Sequence, residues 1–304
     1  MPTRSSRTAE LMALQRALES ARPRSSRLIR DAFAQHFVSR RWRLVIRASR
    51  VGAIRRGVEV LYDQVAGPGP RASAVARTRL IDDLVTDARA WIGQLVLLGA
   101  GFDARAYRLP GLEQVTVFEV DQPATQQAKR EVLGRVLAGI VEGDPLAWHV
   151  RFVPVDFERD DLARALRAAG YRDGWSSLFV WEGVTNYLTP AAVDQTLGAV
   201  HGLAAAAAGS LLVFTYVDRA VVAGDYSRFP EARRWVKGVR RRGEPWRFGL
   251  DPAEVAEFLA RRGFGLIRDL STAEAGERYF QPLGRRERGS ALYHVVTASV
   301  LAKA

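Results

Sequence analysis

The sequence predicts an α/β protein in which a doubly wound, mostly parallel sheet with helices on both faces follows an N-terminal helical cap. Three observations carry this. From residue 94 onward, short apolar runs alternate with helix-patterned stretches, the signature of βαβ units. The first ninety residues show helical periodicity without that alternation. A strand-like run then ends on the turn Gly99-Ala100-Gly101, at the edge where open parallel sheets hold ligands. The expected division is a cap over residues 1–90 and a ligand-binding core over 91–304.

In chain order, residues 9–21 bring Leu11, Leu14 and Leu18 close to one helical face. Phe33, Phe37 and Val38 form a second short apolar face. Residues 43–61 read as a third helix, weakened by Gly52 and Gly57. Gly67-Pro68-Gly69-Pro70 is a breaker, and a helix over 72–91 follows, with Val75, Leu80, Ile81 and Leu84 at helical intervals. Strands are expected at 95–98, 115–120, 151–155, 177–181 and 211–216, with helices at 123–137, 162–169 and 191–203 between them. The basic stretch 233–242 reads as helix or loop. A helix over 252–262 and strands at 265–269 and 292–301 close the chain.

Composition narrows the function classes. Hydrophobic residues make up 48% and charged residues 26%, ordinary values that argue against wholesale disorder. No apolar run approaches the roughly 18 residues a bilayer crossing needs, so no membrane partner is expected. With no cysteine, disulfides, cysteine-based zinc sites, iron–sulfur clusters and cysteine nucleophiles are excluded. No metal is expected, and a cytoplasmic location is the simple reading. Arg4, Ser5, Ser6 and Arg7 resemble transit-peptide composition, but Glu10 and Glu19 interrupt the pattern, so no targeting segment is read.

The formal charge of +12 lies entirely in residues 1–79, which hold 17 Arg against 5 Asp and Glu; the remainder balances at 28 of each sign. Such asymmetry suits a surface for nucleic acid, membrane or an acidic partner, or else a solvated arginine-rich face. The second reading is the expectation, since no RNA-binding aromatic pattern or zinc spacing accompanies it.

The segment 97–104 is the most informative. Glycine tolerates φ > 0 and lets a ligand approach the backbone. A helix start after the turn would present N–H groups to it, with Asp103 as its cap. Asp121 ends the next strand, 22 residues after Gly99, where a carboxylate can take both ribose hydroxyls of an adenosyl group. Two ligands fit the bare pattern G-x-G-x-x-A: a nicotinamide dinucleotide and S-adenosyl-L-methionine. The long helical lead before the first strand, together with Asp156 and Glu182 at the ends of the third and fourth strands, favours the latter. Capping or arginine pairing is the competing explanation for those two carboxylates.

The strings GAGFDARAYRL, VFEVDQP, VPVDFERDDL and FVWEGVTNYLTP resemble the leucine carboxyl methyltransferase family, which includes bacterial O-methyltransferases acting on small carboxylic acids such as polyketide products. The helix ARTRLIDDLV and the late ERYFQPLGR segment are similar too. The resemblance covers roughly residues 70 to 300; the first 65 residues carry no motif of it that can be named, and Gly183-Val184-Thr185-Asn186 departs from a more apolar run. It implies a class I methyltransferase (Rossmann-like) seven-stranded sheet whose last strand is antiparallel. Carried over by position, Arg77 would grip the carboxylate of S-adenosyl-L-methionine and Gly99, Ala100 and Gly101 would form its turn. Asp121 would hold the ribose, Asp156 and Phe157 would bracket the adenine, and Glu182 would lie near the amino group.

The expected reaction is methylation of a small-molecule carboxylate by in-line displacement, with phenol or hydroxyl methylation as the alternative. A carboxylic acid is already ionised at neutral pH, whereas a phenol benefits from a base. His36, His149, His201 and His294 are scattered and away from the motifs. Tyr187 and Tyr279 are expected to line the acceptor pocket. A nicotinamide-dependent oxidoreductase and a basic nucleic-acid-binding protein are the remaining rivals.

Overall fold

The computed structural model describes residues 7–137 and 149–302; Arg4, Ser5 and Ser6 of the basic start lie outside them. The N-terminal part comprises α1 (Arg7–Ser20), α2 (Arg40–Ala48), α3 (Gly52–Ala66) and α4 (Pro70–Ala88). The sheet part then runs β1 (Gln94–Leu98), α5 (Arg105–Arg108), β2 (Thr116–Asp121), α6 (Pro123–Leu137), β3 (Val150–Pro154), α7 (Leu162–Ala168), β4 (Ser177–Trp181) and α8 (Pro190–Ala204). It continues through β5 (Leu211–Val217), α9 (Arg219–Ala223), α10 (Ala232–Arg241), α11 (Val255–Ala260), β6 (Phe264–Ser271), α12 (Thr272–Phe280) and β7 (Tyr293–Val300). No helix among the described residues is long and apolar enough to cross a membrane.

The strand order is β3-β2-β1-β4-β5-β7-β6. β1 to β5 are mutually parallel, and β7 runs antiparallel to both β5 and β6. A dinucleotide-binding sheet is ordered 3-2-1-4-5-6; here a reversed strand is inserted between β5 and β6. The antiparallel closing strand is the one the family resemblance implies. After β3 the chain crosses back to the other side of β1, so the switch point lies between β1 and β4.

Alternation along β1 separates two cores, because successive side chains point to opposite faces. Val96 and Leu98 join Phe118, Phe179, Trp181 and Phe214 under α7, α8 and α11. Leu95 and Leu97 join Val117, Leu178, Val180 and Val213 under α4 and α12. α4 therefore packs on the sheet, inside the 1–90 stretch read as cap. A third cluster binds α1 to the core: Ala13, Leu14, Ala17 and Leu18 pack with Phe37, Phe102, Leu133 and Leu137. Phe37 stacks on Phe102 with ring centroids 4.8 Å apart, so the glycine turn and the cap share one apolar contact.

Two local expectations are corrected, and one helix lay outside them. The helix expected over 43–61 is two helices, α2 and α3. Ser49 Oγ bonds the Val45 carbonyl and Val51 is extended, the backbone competition by which serine closes a helical turn. The helix expected after the glycine turn is only the four residues of α5, whose N-cap is Ala104, although Asp103 Oδ1 accepts from Arg105 N at 2.8 Å. α12 was not anticipated as a helix. Its signal is a capping box in which Ser271 accepts from Glu274 N while the Glu274 carboxylate accepts from Ser271 N.

Candidate active site

The glycine turn sits at the carboxyl end of β1, beside the switch point. Gly99 and Gly101 have φ of +69° and +44°, a region that side chains with a Cβ rarely adopt. A Cβ on Gly99 would also lie 2.3 Å from Val184 Cγ2, so close packing of the β4 loop adds a second demand for glycine. The turn spends two of its N–H groups internally. Ala100 N donates to the Val120 carbonyl at 2.9 Å, and Gly101 N to Asp121 Oδ2 at 2.5 Å. Two of the N–H groups expected to face a ligand, those of Ala100 and Gly101, are thus committed within the protein.

Register brings the carboxylates together. Leu98 pairs with Val120, and Asp121 with Pro154, so Gly99, Asp121 and Asp156 fall on one rim. Asp121 Oδ1 also accepts from Gln122 N at 2.7 Å. Burial raises the Asp121 pKa despite these two N–H donors. Asp156 Oδ1 accepts from Glu158 N at 3.1 Å within a turn, and Arg159 lies 4.0 Å from its other oxygen, so the competing arginine pairing is present at a residue that also lines the cavity, while Asp161 caps the next helix. Phe157 is buried with its ring tilted against Trp181.

Glu182, at the end of β4, is held by two arginines. Arg77 Nε donates to Oε1 and Arg105 Nη1 to Oε2, each at 2.7 Å. Burial opposes ionisation of Glu182, but Arg105 and then Arg77 outweigh it and keep its pKa below the ordinary value. The Arg77 guanidinium also lies over the Tyr293 ring, 4.9 Å from its centroid. Arg105 extends the network: its Nε donates to Asp82 Oδ1 at 2.7 Å and its Nη1 to Asp103. Arg108 in turn grips both Asp82 oxygens at 2.7 Å.

A cavity of about 650 Å³ opens over this edge. Arg77, Gly99, Ala100, Gly101, Asp121, Asp156, Phe157, Glu182 and Tyr187 all line it. Tyr279 does not. It lies on α12 against α4, its hydroxyl donating to Asp83 Oδ2 at 2.8 Å, so the expectation of an acceptor-pocket tyrosine there is corrected. Tyr187 is partly buried; burial, then Tyr293, push its pKa up to about 12. None of the four histidines lines the cavity; His294, for example, is bonded to Asp269 at 2.9 Å.

Several lining residues were not read from the sequence. α1 supplies Thr8, Met12 and Arg16, and the segment after α10 supplies Arg242, Glu244 and Arg247. Arg105 was missed as well. Its partners Asp82, Asp103 and Glu182 span 100 residues of sequence, and no local pattern announces such a set.

Comparison with known proteins follows the same lines. A family description, leucine carboxyl methyltransferase, matches residues 9–201. The match thus begins within α1, in the stretch that carried no nameable motif of the family. A relative from Mycobacterium sp. (strain JLS), named "Putative S-adenosyl-L-methionine-dependent methyltransferase", is 38% identical over 199 residues, covering 62% of this chain and 60% of the relative. A relative of the same name from Mycobacterium avium (strain 104) is 42% identical over 133 residues, covering 43% of this chain and 40% of that protein. The matches thus span about 60% or less of the length of these relatives. The fold is similar to a solved structure described as a "putative methyltransferase" from Thermobifida fusca YX, with a TM-score of 0.53 at 18% identity over 82% of this chain and 89% of that one.

Proposed function

We infer the function from one premise: the chain belongs to the leucine carboxyl methyltransferase family. On that premise it is an S-adenosyl-L-methionine-dependent O-methyltransferase whose acceptor is the carboxylate of a small molecule. The observation that carries the reading is convergence. Residues from α4, the β1 turn and the ends of β2, β3 and β4 line one cavity at the switch point of a sheet closed by a reversed β7. Its volume lies within the roughly 300–1,000 Å³ range of small-molecule sites.

The residues present fit the methyl donor. Asp121, which lines the cavity, would hold the ribose hydroxyls, and its raised pKa accords with a carboxylate drawn out of water. Arg77, its Nε fixed by Glu182, offers a cation to the amino-acid carboxylate. Phe157 and Asp156 would flank the adenine, one by apolar contact and one by hydrogen bonding. A dinucleotide fits less well, because a diphosphate relies on free N–H groups at a helix start, whereas those of Ala100 and Gly101 are committed to Val120 and Asp121.

The donor, when bound, supplies a methyl group on a positively charged sulfur. The protein's task is then to position the acceptor oxygen in line and keep water out. An ionised carboxylate needs no base. Tyr187, with a pKa of about 12, stays protonated at neutral pH and can only donate to or pack against the acceptor. Arg242 lines the cavity with no carboxylate within ion-pair distance among the described residues, which leaves a cation for the acceptor. α1, α2 and α3 form the cap, and α1 closes one wall through Thr8, Met12 and Arg16.

The test incubates the enzyme and S-adenosyl-L-methionine with a panel of carboxylic acids and phenols, read by mass spectrometry. A gain of one methyl group, lost again under mild alkaline hydrolysis, is the expected result. A methylated product that resists alkali assigns hydroxyl methylation instead. Thermal protection by NAD(H) with none from S-adenosylhomocysteine would overturn the cofactor assignment.

A further inference from the structure

The charge excess of the N-terminal quarter divides in two. Arg16, Arg22, Arg71, Arg77 and Arg79 are all consumed by carboxylates. The seven arginines between 40 and 56 are not: no carboxylate lies within 4 Å of any of them among the described residues. No Asp or Glu occurs from residue 32 to 58. Six of the seven are exposed, on α2 and around the start of α3.

α3 departs from the usual polarity: Val58 packs against the α1 cluster, but most of its other apolar side chains do not face the core. A surface helix normally turns its apolar stripe to the core and its charges to water. Here Glu59 accepts from Arg22 and Asp63 pairs with Arg71 at 3.3 Å, so the acidic side faces the protein. Ile54, Val60, Leu61 and Val65 face outward, with Leu61 62% and Val65 77% exposed, and no residue of the helix is buried. Trp42 and Leu44 add exposed apolar surface on α2. α10 packs beside α3 and exposes Arg233, Arg234, Lys237, Arg240 and Arg241, again with no carboxylate within ion-pair distance among the described residues.

We propose that α2, α3 and α10 form a peripheral docking surface for an anionic lipid membrane. The surface joins apolar side chains, an interfacial tryptophan and a dense, uncompensated positive charge, which is the composition of helices that lie in the headgroup plane. The occupant follows from charge. A symmetric contact with a second copy would set the same arginines against one another, since a two-fold interface pairs a patch with itself. Nucleic acid would satisfy the arginines but leave the apolar stripe in water. An anionic bilayer answers both. This is attachment in the plane of the membrane, not a crossing, so it does not conflict with the lack of a spanning helix. It departs from the expectations of a solvated basic face and of no membrane partner. α10 ends next to Arg242 at the cavity, so the surface runs up to the mouth of the site.

The test uses the full chain with sedimented vesicles of phosphatidylcholine alone and of phosphatidylcholine with one quarter phosphatidylglycerol. Strong binding to the anionic vesicles, little to the neutral ones, and a blue shift of fluorescence that Trp42→Phe removes are the expected results. Replacing Arg40, Arg41, Arg43 and Arg47 by Gln lowers the partition coefficient on the order of 100-fold or more, at about 1 kcal/mol per arginine. Ile54→Ser with Leu61→Ser lowers it roughly tenfold or more through lost apolar burial. Because α3 buries no residue, the serine variant keeps the wild-type melting temperature, which separates lost docking from misfolding. Equal binding to neutral vesicles, or none to either, overturns the proposal. So does a dimer in solution that Leu61→Ser dissolves, or retention of a short DNA duplex as tight as that of the anionic vesicles.

Discussion

Replacing Arg105 by Met tests the charge network beneath the cavity. The guanidinium is 2% exposed and serves Asp82, Asp103 and Glu182 at once. The three carboxylates do not lose equally. Asp82 keeps two bonds from Arg108 at 2.7 Å, and Glu182 keeps Arg77 at 2.7 Å. Asp103 loses the only side-chain partner it has among the described residues and becomes the stranded charge. One uncompensated, largely buried charge costs about 3–5 kcal/mol, and the surviving partners place the expected loss near the lower end. That is still a large fraction of the roughly 5–15 kcal/mol that holds a domain folded. Burial opposes ionisation of Asp103, but Arg105 foremost among nearby cations holds its pKa well below the ordinary carboxylate range. A depressed carboxylate contributes stability above its unfolded pKa near 3.8 and loses it as pH falls further. The gap between wild type and Arg105→Met should therefore be full at pH 7.5 and narrower at pH 3. Urea unfolding followed by tryptophan fluorescence at both pH values measures it. A gap below about 1 kcal/mol at pH 7.5, or one unchanged at pH 3, would refute the stranded-charge account.

Asp121→Asn should weaken S-adenosylhomocysteine binding by roughly 10- to 100-fold in calorimetry, since hydrogen bonds to a charged group are worth about 1.5–3 kcal/mol; undiminished affinity would sink the ribose assignment. Gly99→Ala should destabilise the protein by about 2–4 kcal/mol, combining the cost of positive φ with the clash against Val184. Adding Val184→Ala should recover only the clash, and full recovery of the melting temperature would show that φ is irrelevant. Burial raises the Glu119 pKa to about 7 in spite of its 2.7 Å ion pair with Lys129. A raised carboxylate pKa favours the fold below the unfolded value near 4.5 and loses that contribution as pH rises to about 7. Stability between those pH values should thus fall by about 1–3 kcal/mol from this group in the wild type, and not in the Glu119→Gln/Lys129→Met double variant; identical pH profiles would count against it.

Much of the sheet was legible because its signals are local. Strands such as Gln94–Leu98 and Ser177–Trp181 are short apolar runs, and Gly99 had to be glycine from its turn alone. The strand-end carboxylates Asp121, Asp156 and Glu182 could be named for the same reason: each ends a readable strand, and a parallel sheet collects such ends on one edge. Tyr279 was misplaced because its segment could be recognised while the helix carrying it, packed on α4, could not be oriented. Arg105 and α1 escaped because their roles rest on contacts far apart in sequence, such as Arg16 reaching the Phe102 carbonyl 86 residues away. The sequence by itself therefore determined the sheet, the turn and the residues at its edge, since backbone conformation and hydrophobic period are written in neighbouring residues. Only the tertiary structure decided which arginines are consumed by carboxylates and which face water, and that the apolar stripe of α3 points outward. Charge compensation and burial depend on what packs alongside, and a one-dimensional pattern does not record its neighbours in space.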